Sequence, residues 1–183
     1  MTIHELVASL EPEINAVRQQ IHENPELGLK EYNTSALIEK ELREKTHVDR
    51  IEHIGETGLL VEIKGTKPGA AHCIALRGDM DALPIKEDES HELRSRTDGI
   101  MHACGHDFHT AAGFGAALLL QERKEELQGN VKILFQPAEE SSHGAETVLE
   151  TGVFSDVTAI FGLHTAAYLP VGTLGIRAGS VMA

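Results

Sequence analysis

The stretch MHACGHDFHT, residues 101–110, decides how the rest of the chain is read. It carries His102, Cys104, His106, Asp107 and His109, five side chains that can each offer a lone pair to a metal ion. Cys104 and His106 stand two apart. On a helix that spacing sends them to opposite sides, whereas a looped backbone lets both turn towards one point. Gly105 between them has no Cβ and accepts the positive φ that such a turn demands. From Phe108 to Leu120 the chain is apolar and rich in Ala and Leu, which predicts a buried helix beginning near Asp107, with that aspartate as its N-cap. A cysteine and a histidine looped over a helix end are a rigidly mounted metal site. The competing reading is a chance cluster of histidines on a surface loop.

Working outward, that helix runs to about residue 125 and a strand follows at 131–135. A helix at 144–150, a strand at 158–163 and one more strand at 173–176 complete the downstream side. Upstream, Ile3, Leu6, Val7, Leu10, Ile14, Val17 and Ile21 have helical spacing. Thr2 and Glu5 form a capping box, Pro12 bends or restarts this helix, and Asn24-Pro25 ends it. A second amphipathic helix at 33–45 carries Ala36, Leu37, Ile38 and Leu42. Strands are predicted at 48–54, 58–64 and 72–77 with Gly/Pro turns between them, and the aperiodic polar segment 86–98 reads as a surface loop. Strands alternating with helices imply an α/β sheet with helices on both faces, and such sheets bind ligands beyond the carboxyl ends of their strands.

With 183 residues the chain makes one domain, 1–183, and is too short for two ordinary ones. Sixteen basic against twenty-nine acidic residues give a net charge of −13, which argues against nucleic acid or an anionic membrane as partner. No run approaches a membrane span, and the first residues lack the basic leader and apolar core of a signal peptide. Two cysteines, one of them inside the metal-like cluster, argue against a disulfide framework and for reduced thiols and a cytoplasmic location.

The strand-end rule can be tested on the reactive residues. The strand at 72–77 runs into Gly78-Asp79-Met80-Asp81, with both aspartates on one side of an extended backbone. The strand at 131–135 runs into Gln136-Pro137-Ala138-Glu139-Glu140, whose adjacent glutamates point apart in an extended chain and so can take two different jobs. The strand at 158–163 ends at His164. Cys104, His106, Glu140 and His164 form a mixed sulfur, nitrogen and oxygen set suited to zinc or another first-row divalent ion. One tetrahedral zinc could use all four, but Glu139, Asp79 and Asp81 would then crowd together without enough positive charge, a problem that two ions answer better. His102 and His109 stay unassigned, Cys73 reads as core, and His4, His47, His53, His72, His91 and His143 read as surface residues.

RGDMDALP, MHACGHDFHT, FQPAEE and GLH, in this order and spacing, resemble the dinuclear metallo-amidohydrolases related to zinc carboxypeptidases. The group in question contains hippurate hydrolase, N-acyl-amino-acid amidohydrolase and auxin-conjugate hydrolases. The likeness begins near Arg18, includes His22-Glu23-Asn24-Pro25-Glu26-Leu27, and continues to the last residue. The resemblance implies a three-layer αβα zinc-exopeptidase-like catalytic domain and two divalent metal ions, zinc or manganese, with cobalt or nickel as alternatives. It implies Cys104, His106, Glu140 and His164 as metal ligands and Glu139 as general base. Asp81 matches an aspartate that orients a ligand from behind, and Asp79 stands where the wider family has a ligating histidine. The implied substrate is a small N-acyl amino acid, and the implied full-length assembly is a homodimer or homotetramer.

This sequence departs from the family in length. Members are about twice as long, with a lid and dimerisation domain inserted where this chain stops, so residues 1–183 are expected to be the N-terminal portion of the catalytic domain. A fifth ligand histidine and a lid histidine that stabilises the tetrahedral intermediate belong to the missing part. Ala167 stands where the family commonly has proline. Two functions follow as expectations: an amidohydrolase in the complete enzyme, this chain alone being inactive, or a non-catalytic metal-binding fragment of one.

Overall fold

The computed structural model describes residues 1–69, 72–141, 143–176 and 178–179. Two helices, α1 (Ile3–Glu23) and α2 (Tyr32–Lys45), lead into strands β1 (Arg50–Ile54), β2 (Gly58–Lys64) and β3 (Cys73–Asp79). After the long loop come α3 (His106–Glu122), β4 (Asn130–Gln136), α4 (Gly144–Glu150) and β5 (Val157–Gly162). The five strands form one mixed sheet in the order β1-β2-β4-β3-β5. β1 pairs antiparallel with β2, and β2 antiparallel with β4, whereas β3 runs parallel to both β4 and β5. The carboxyl ends of β3, β4 and β5 therefore open onto the same edge.

The parity of buried side chains assigns the layers. Leu59, Val61 and Ile63 of β2 and Val131, Ile133 and Phe135 of β4 pack with Val17, Ile21, Ile38, Leu42 and Phe114 from α1, α2 and α3. Their alternating neighbours Leu60 and Leu134 join Ile54 and Val148 of α4 on the opposite face. Each fully buried side chain of this kind contributes about 1.5–3 kcal/mol relative to exposure, so the three-helix face carries most of the burial. This is the three-layer α/β arrangement the sequence implies, with one layer much thicker than the other.

Local signals explain most element ends. The Thr2 hydroxyl accepts from the Glu5 amide at 3.2 Å while Glu5 accepts from the Thr2 amide at 2.8 Å, the predicted capping box. Three expectations need correction. α1 does not restart at Pro12; the helix runs without a break from Ile3 to Glu23. α3 starts at His106 with Gly105 at its cap in the left-handed conformation, and Asp107 caps nothing because its carboxylate is turned to α1. Among the described residues, 173–176 join no strand: the Thr173 amide donates to Pro170 in a turn, and Leu174 and Ile176 are exposed. Among the described residues no helix is long and apolar enough to cross a membrane. Cys73 is buried and both cysteines are free.

Candidate metal centre

At the shared strand edge four elements deliver their polar side chains to one place. β3 ends in Asp79 and runs on to Asp81, β4 turns into Glu139 and Glu140, β5 leads to His164, and the loop into α3 supplies Cys104 and His106. Gly105 makes that loop possible on two counts. Its φ is +86°, and a Cβ there would lie 2.4 Å from the Thr165 hydroxyl.

His106 is the centre of the arrangement. Its Nδ1–H donates to the Asp81 carbonyl at 2.9 Å and to the Asp81 carboxylate at 3.2 Å. That leaves Nε2 facing the cluster, buried and, among the described residues, without a hydrogen-bond partner. A buried ring nitrogen with nothing to bind is costly, and a cation removes the cost. Around Nε2 lie an Asp79 oxygen at 3.5 Å, a Glu140 oxygen at 3.8 Å and a Glu139 oxygen at 3.9 Å. Burial by itself would lower the His106 pKa, but the Asp81 hydrogen bond and the charges of Asp79, Asp81 and Glu140 outweigh it and raise the pKa. The field that holds a proton there would equally hold a divalent cation.

His164 and Cys104 complete one side. The His164 Nδ1–H donates to the Thr165 carbonyl at 2.7 Å, and its Nε2 lies 3.3 Å from the Cys104 sulfur. Two ligands on a tetrahedral zinc with ordinary Zn–S and Zn–N bonds stand roughly 3.5 Å apart. Candidate ligand atoms of Cys104, His106 and His164 all lie within 4.8 Å of one another, as do those of His106, Glu139 and Glu140. The two sets share His106. Burial first, and then the Glu140 carboxylate, push the Cys104 thiol up to about 11, so in the free chain it keeps its proton. The donor set and its geometry fit divalent ions.

One expectation about the glutamates is corrected. They do not point apart: both bring an oxygen to within 4 Å of His106 Nε2. The backbone is not extended there, since Ala138 just before them has φ +49°.

The remaining histidines separate by their partners. The His109 Nδ1–H donates to Asp79 at 2.6 Å, and its Nε2 accepts from the Thr165 amide at 2.9 Å, so both ring nitrogens are engaged. His109 thus ties β3 to the loop that carries His164. Asp79 is fully buried and also paired with Arg77; burial opposes its ionisation, but His109, His106 and Arg77 together hold its pKa below the usual range. Asp81 is held low in the same way, burial being outweighed by His106 and by the amides of Glu140 and Glu139. His102 is buried with neither ring nitrogen bonded among the described residues, and burial drives its pKa down to about 4. His4, His47, His53, His72, His91 and His143 are exposed, as expected.

Sequence reasoning missed the supports behind this edge. Asp107 accepts from Arg18 Nε at 3.0 Å and from His22 Nδ1 at 3.0 Å. The other His22 nitrogen lies 3.1 Å from Glu87, which also accepts from the Ser95 amide at 2.6 Å. This chain of contacts pins the 86–98 loop to α1 and α3. Buried Glu31, at 0% exposure, was missed as well. Its only sequence signal is a charged residue just ahead of an amphipathic helix, where a solvated one is the common case.

A three-layer α/β domain with thiol, imidazole and carboxylate donors at its parallel strand ends is metallopeptidase-like in class. The chain belongs to peptidase family M20/M25/M40, whose sequence model matches residues 75–181. It is 47% identical over 171 residues to N-acetylcysteine deacetylase of Bacillus subtilis, covering 91% of this chain and 43% of that protein. It is 50% identical over 167 residues to IAA-amino acid hydrolase ILR1-like 5 of Arabidopsis thaliana, covering 91% of this chain and 38% of that one. Among solved structures, the YXEP protein of Bacillus subtilis, a dinuclear metal-binding peptidase of the M20 family, superposes with a TM-score of 0.88 at 44% identity. That match covers 94% of this chain and 48% of the other. The chain thus spans less than half the length of these relatives.

Proposed function

We propose that residues 1–183 supply the N-terminal, metal-binding portion of a catalytic domain that hydrolyses the amide bond of N-acyl amino acids. The observation that carries this reading is the buried Nε2 of His106, without a hydrogen-bond partner among the described residues and surrounded by Cys104, His164, Glu139, Glu140 and Asp79. In it, Cys104, His106, Glu140 and His164 hold the ions, and Asp81 fixes His106 with Nε2 outward. Two divalent ions, zinc or manganese with cobalt or nickel as alternatives, would supply positive charge that acidifies water and polarises an acyl carbonyl.

The protein's own part in the reaction is proton management and positioning. Glu139 is the more exposed of the two glutamates, 39% against 28%, and is assigned the general base. It takes a proton from water as the water oxygen bonds to the acyl carbon, and returns it to the amine nitrogen as the C–N bond breaks. The relatives named for N-acetylcysteine and for IAA-amino acids support a small N-acyl amino acid as substrate. A cytoplasmic enzyme, homodimeric or homotetrameric at full length and with no nucleic-acid or membrane partner, is the corresponding whole.

Because the relatives are more than twice as long, the 183-residue chain alone is assigned metal binding without turnover. The test measures metal content and hydrolysis of N-acetyl- and N-benzoyl-amino acids, for this chain and for one extended to the relatives' length. In the extended chain, Glu139→Gln should cost on the order of 10²–10⁴ in kcat while metal content stays constant. Unchanged turnover in that variant would remove Glu139 from the role. Metal uptake by the extended chain without hydrolysis of any acyl amino acid would favour a non-catalytic metal-binding protein.

A further inference from the structure

The turn that presents Glu139 and Glu140 is held from behind by residues outside the cluster. Ala138 is fully buried and has φ +49°, a conformation that non-glycine residues adopt reluctantly. Three successive amides of this turn point into two carboxyl groups. The Glu139 and Glu140 N–H groups donate to the two Asp81 oxygens, each at 3.0 Å, and the Ala138 N–H donates to Glu31 Oε1 at 2.7 Å.

Glu31 is itself locked. It has 0% exposure, and its other oxygen accepts from the Thr57 hydroxyl at 2.7 Å, in the turn between β1 and β2. The segment before it closes the pocket: a Cβ on Gly28 would lie 3.2 Å from Ala138 Cα and 3.4 Å from Asp81. Nothing in the ion-binding roles assigned above uses Glu31, yet it is the partner that keeps the Ala138 amide satisfied in its strained conformation.

We propose that Glu31 is a positioning residue that clamps Ala138 in the left-handed conformation and thereby aims Glu139 and Glu140 at His106. The inference rests on the functional reading above only for what the two glutamates then do. Without an acceptor at Glu31, the Ala138 amide is buried and unpaired, and the turn can escape by flipping to an ordinary φ. That movement carries the two carboxylates away from His106. A glutamine at 31 preserves the clamp, since its amide oxygen accepts from Ala138 and its NH₂ donates to a Thr57 hydroxyl able to take either role.

The experiment compares wild type, Glu31→Gln and Glu31→Met in the 183-residue chain by amide hydrogen exchange and by Co²⁺ titration followed in the visible spectrum. Glu31→Met should speed exchange at residues 138–140 while Ile133 and Phe135 in β4 keep their protection, and should weaken Co²⁺ binding on the order of 10–100-fold. Glu31→Gln should restore both. A general loss of protection across β4 would make the role merely structural, and equal defects in Gln and Met would assign it to charge rather than to the clamp; either result overturns the proposal. If Glu31→Met does not fold, Thr57→Val loosens Glu31 more gently and should move the same amides in the same direction; no change there also overturns it. Absence of Co²⁺ binding by wild type would count against the metal reading alone, and the exchange data would still decide the role of Glu31.

Discussion

Cys104 shows what one residue can report about the cluster. Its thiol is pushed up to about 11, first by burial and then by Glu140, so near neutral pH almost none of it is thiolate. Alkylation of Cys104 in the metal-free chain should therefore be slow at pH 7 and accelerate by about tenfold per pH unit. Added Zn²⁺ or Mn²⁺ should block it, and Cys104→Ala should lose most of the bound metal. Alkylation by mass spectrometry that is indifferent to either ion would contradict the assigned ligand role. Cys104 and His106 were legible in the sequence because they sit two apart across the junction of a loop and a helix, where local geometry suffices. His109 was not, because its partners are Asp79 and Thr165, 30 and 56 residues away, and no local pattern encodes them. The same distance hid Glu31, whose amide partner lies 107 residues on.

At the scale of elements, the loop into α3 and the 86–98 loop each make a prediction. Gly105→Ala forces a left-handed alanine and a contact with the Thr165 hydroxyl, which cannot retreat freely because it donates to the Cys104 carbonyl at 2.9 Å. The backbone conformation alone costs about 1–2 kcal/mol, or roughly 2–8 °C in Tm for a chain of this size. Thermal unfolding that matches wild type would show that the loop relaxes without cost. In the second loop, burial works against ionisation of Glu87, but the Ser95 amide, His91 and His22 outweigh it and lower the pKa. A lowered carboxylate stabilises fully above its unfolded value of about 4.3, and that contribution fades as pH falls through the folded value below it. Wild type should therefore be more stable to urea than Glu87→Gln above about pH 5, with the gap closing in acid. A gap that widened towards low pH would reverse the sign and refute the account. The α1 capping box and the Gly144–Glu150 helix were legible because caps and periodicity are local. The strand order was not, since placing β4 between β2 and β3 depends on which faces find cover, and residues 173–176 have strand-like composition but, among the described residues, no neighbour to make them a strand.

For the whole molecule, the unequal layers leave β5 in an unusual position. It is an edge strand paired on one side with β3, and among the described residues nothing pairs with its other side. Its burial pattern is exposed along almost the whole length, with Ile160 at 54%, Phe161 at 57% and Leu163 just beyond at 60%. Ile160 and Phe161 alternate across the sheet, so apolar surface is open on both faces at once. A long apolar edge with free backbone donors and acceptors is a template for pairing with another strand. The opposing effect is the net charge of −13, which repels one copy from another at low ionic strength. Salt screens that repulsion within about 8–10 Å but does not weaken apolar contact. A protein of these 183 residues should therefore associate as concentration rises, and more strongly at 0.5 M than at 0.05 M NaCl. Ile160→Lys should suppress the association by placing a charge on the open edge, without disturbing the core, because that side chain is more than half exposed. Sedimentation velocity reads all three effects. A monomer at every salt and concentration would mean that β5 is covered in solution, and association weakened by salt would mean that charge rather than the apolar edge drives it.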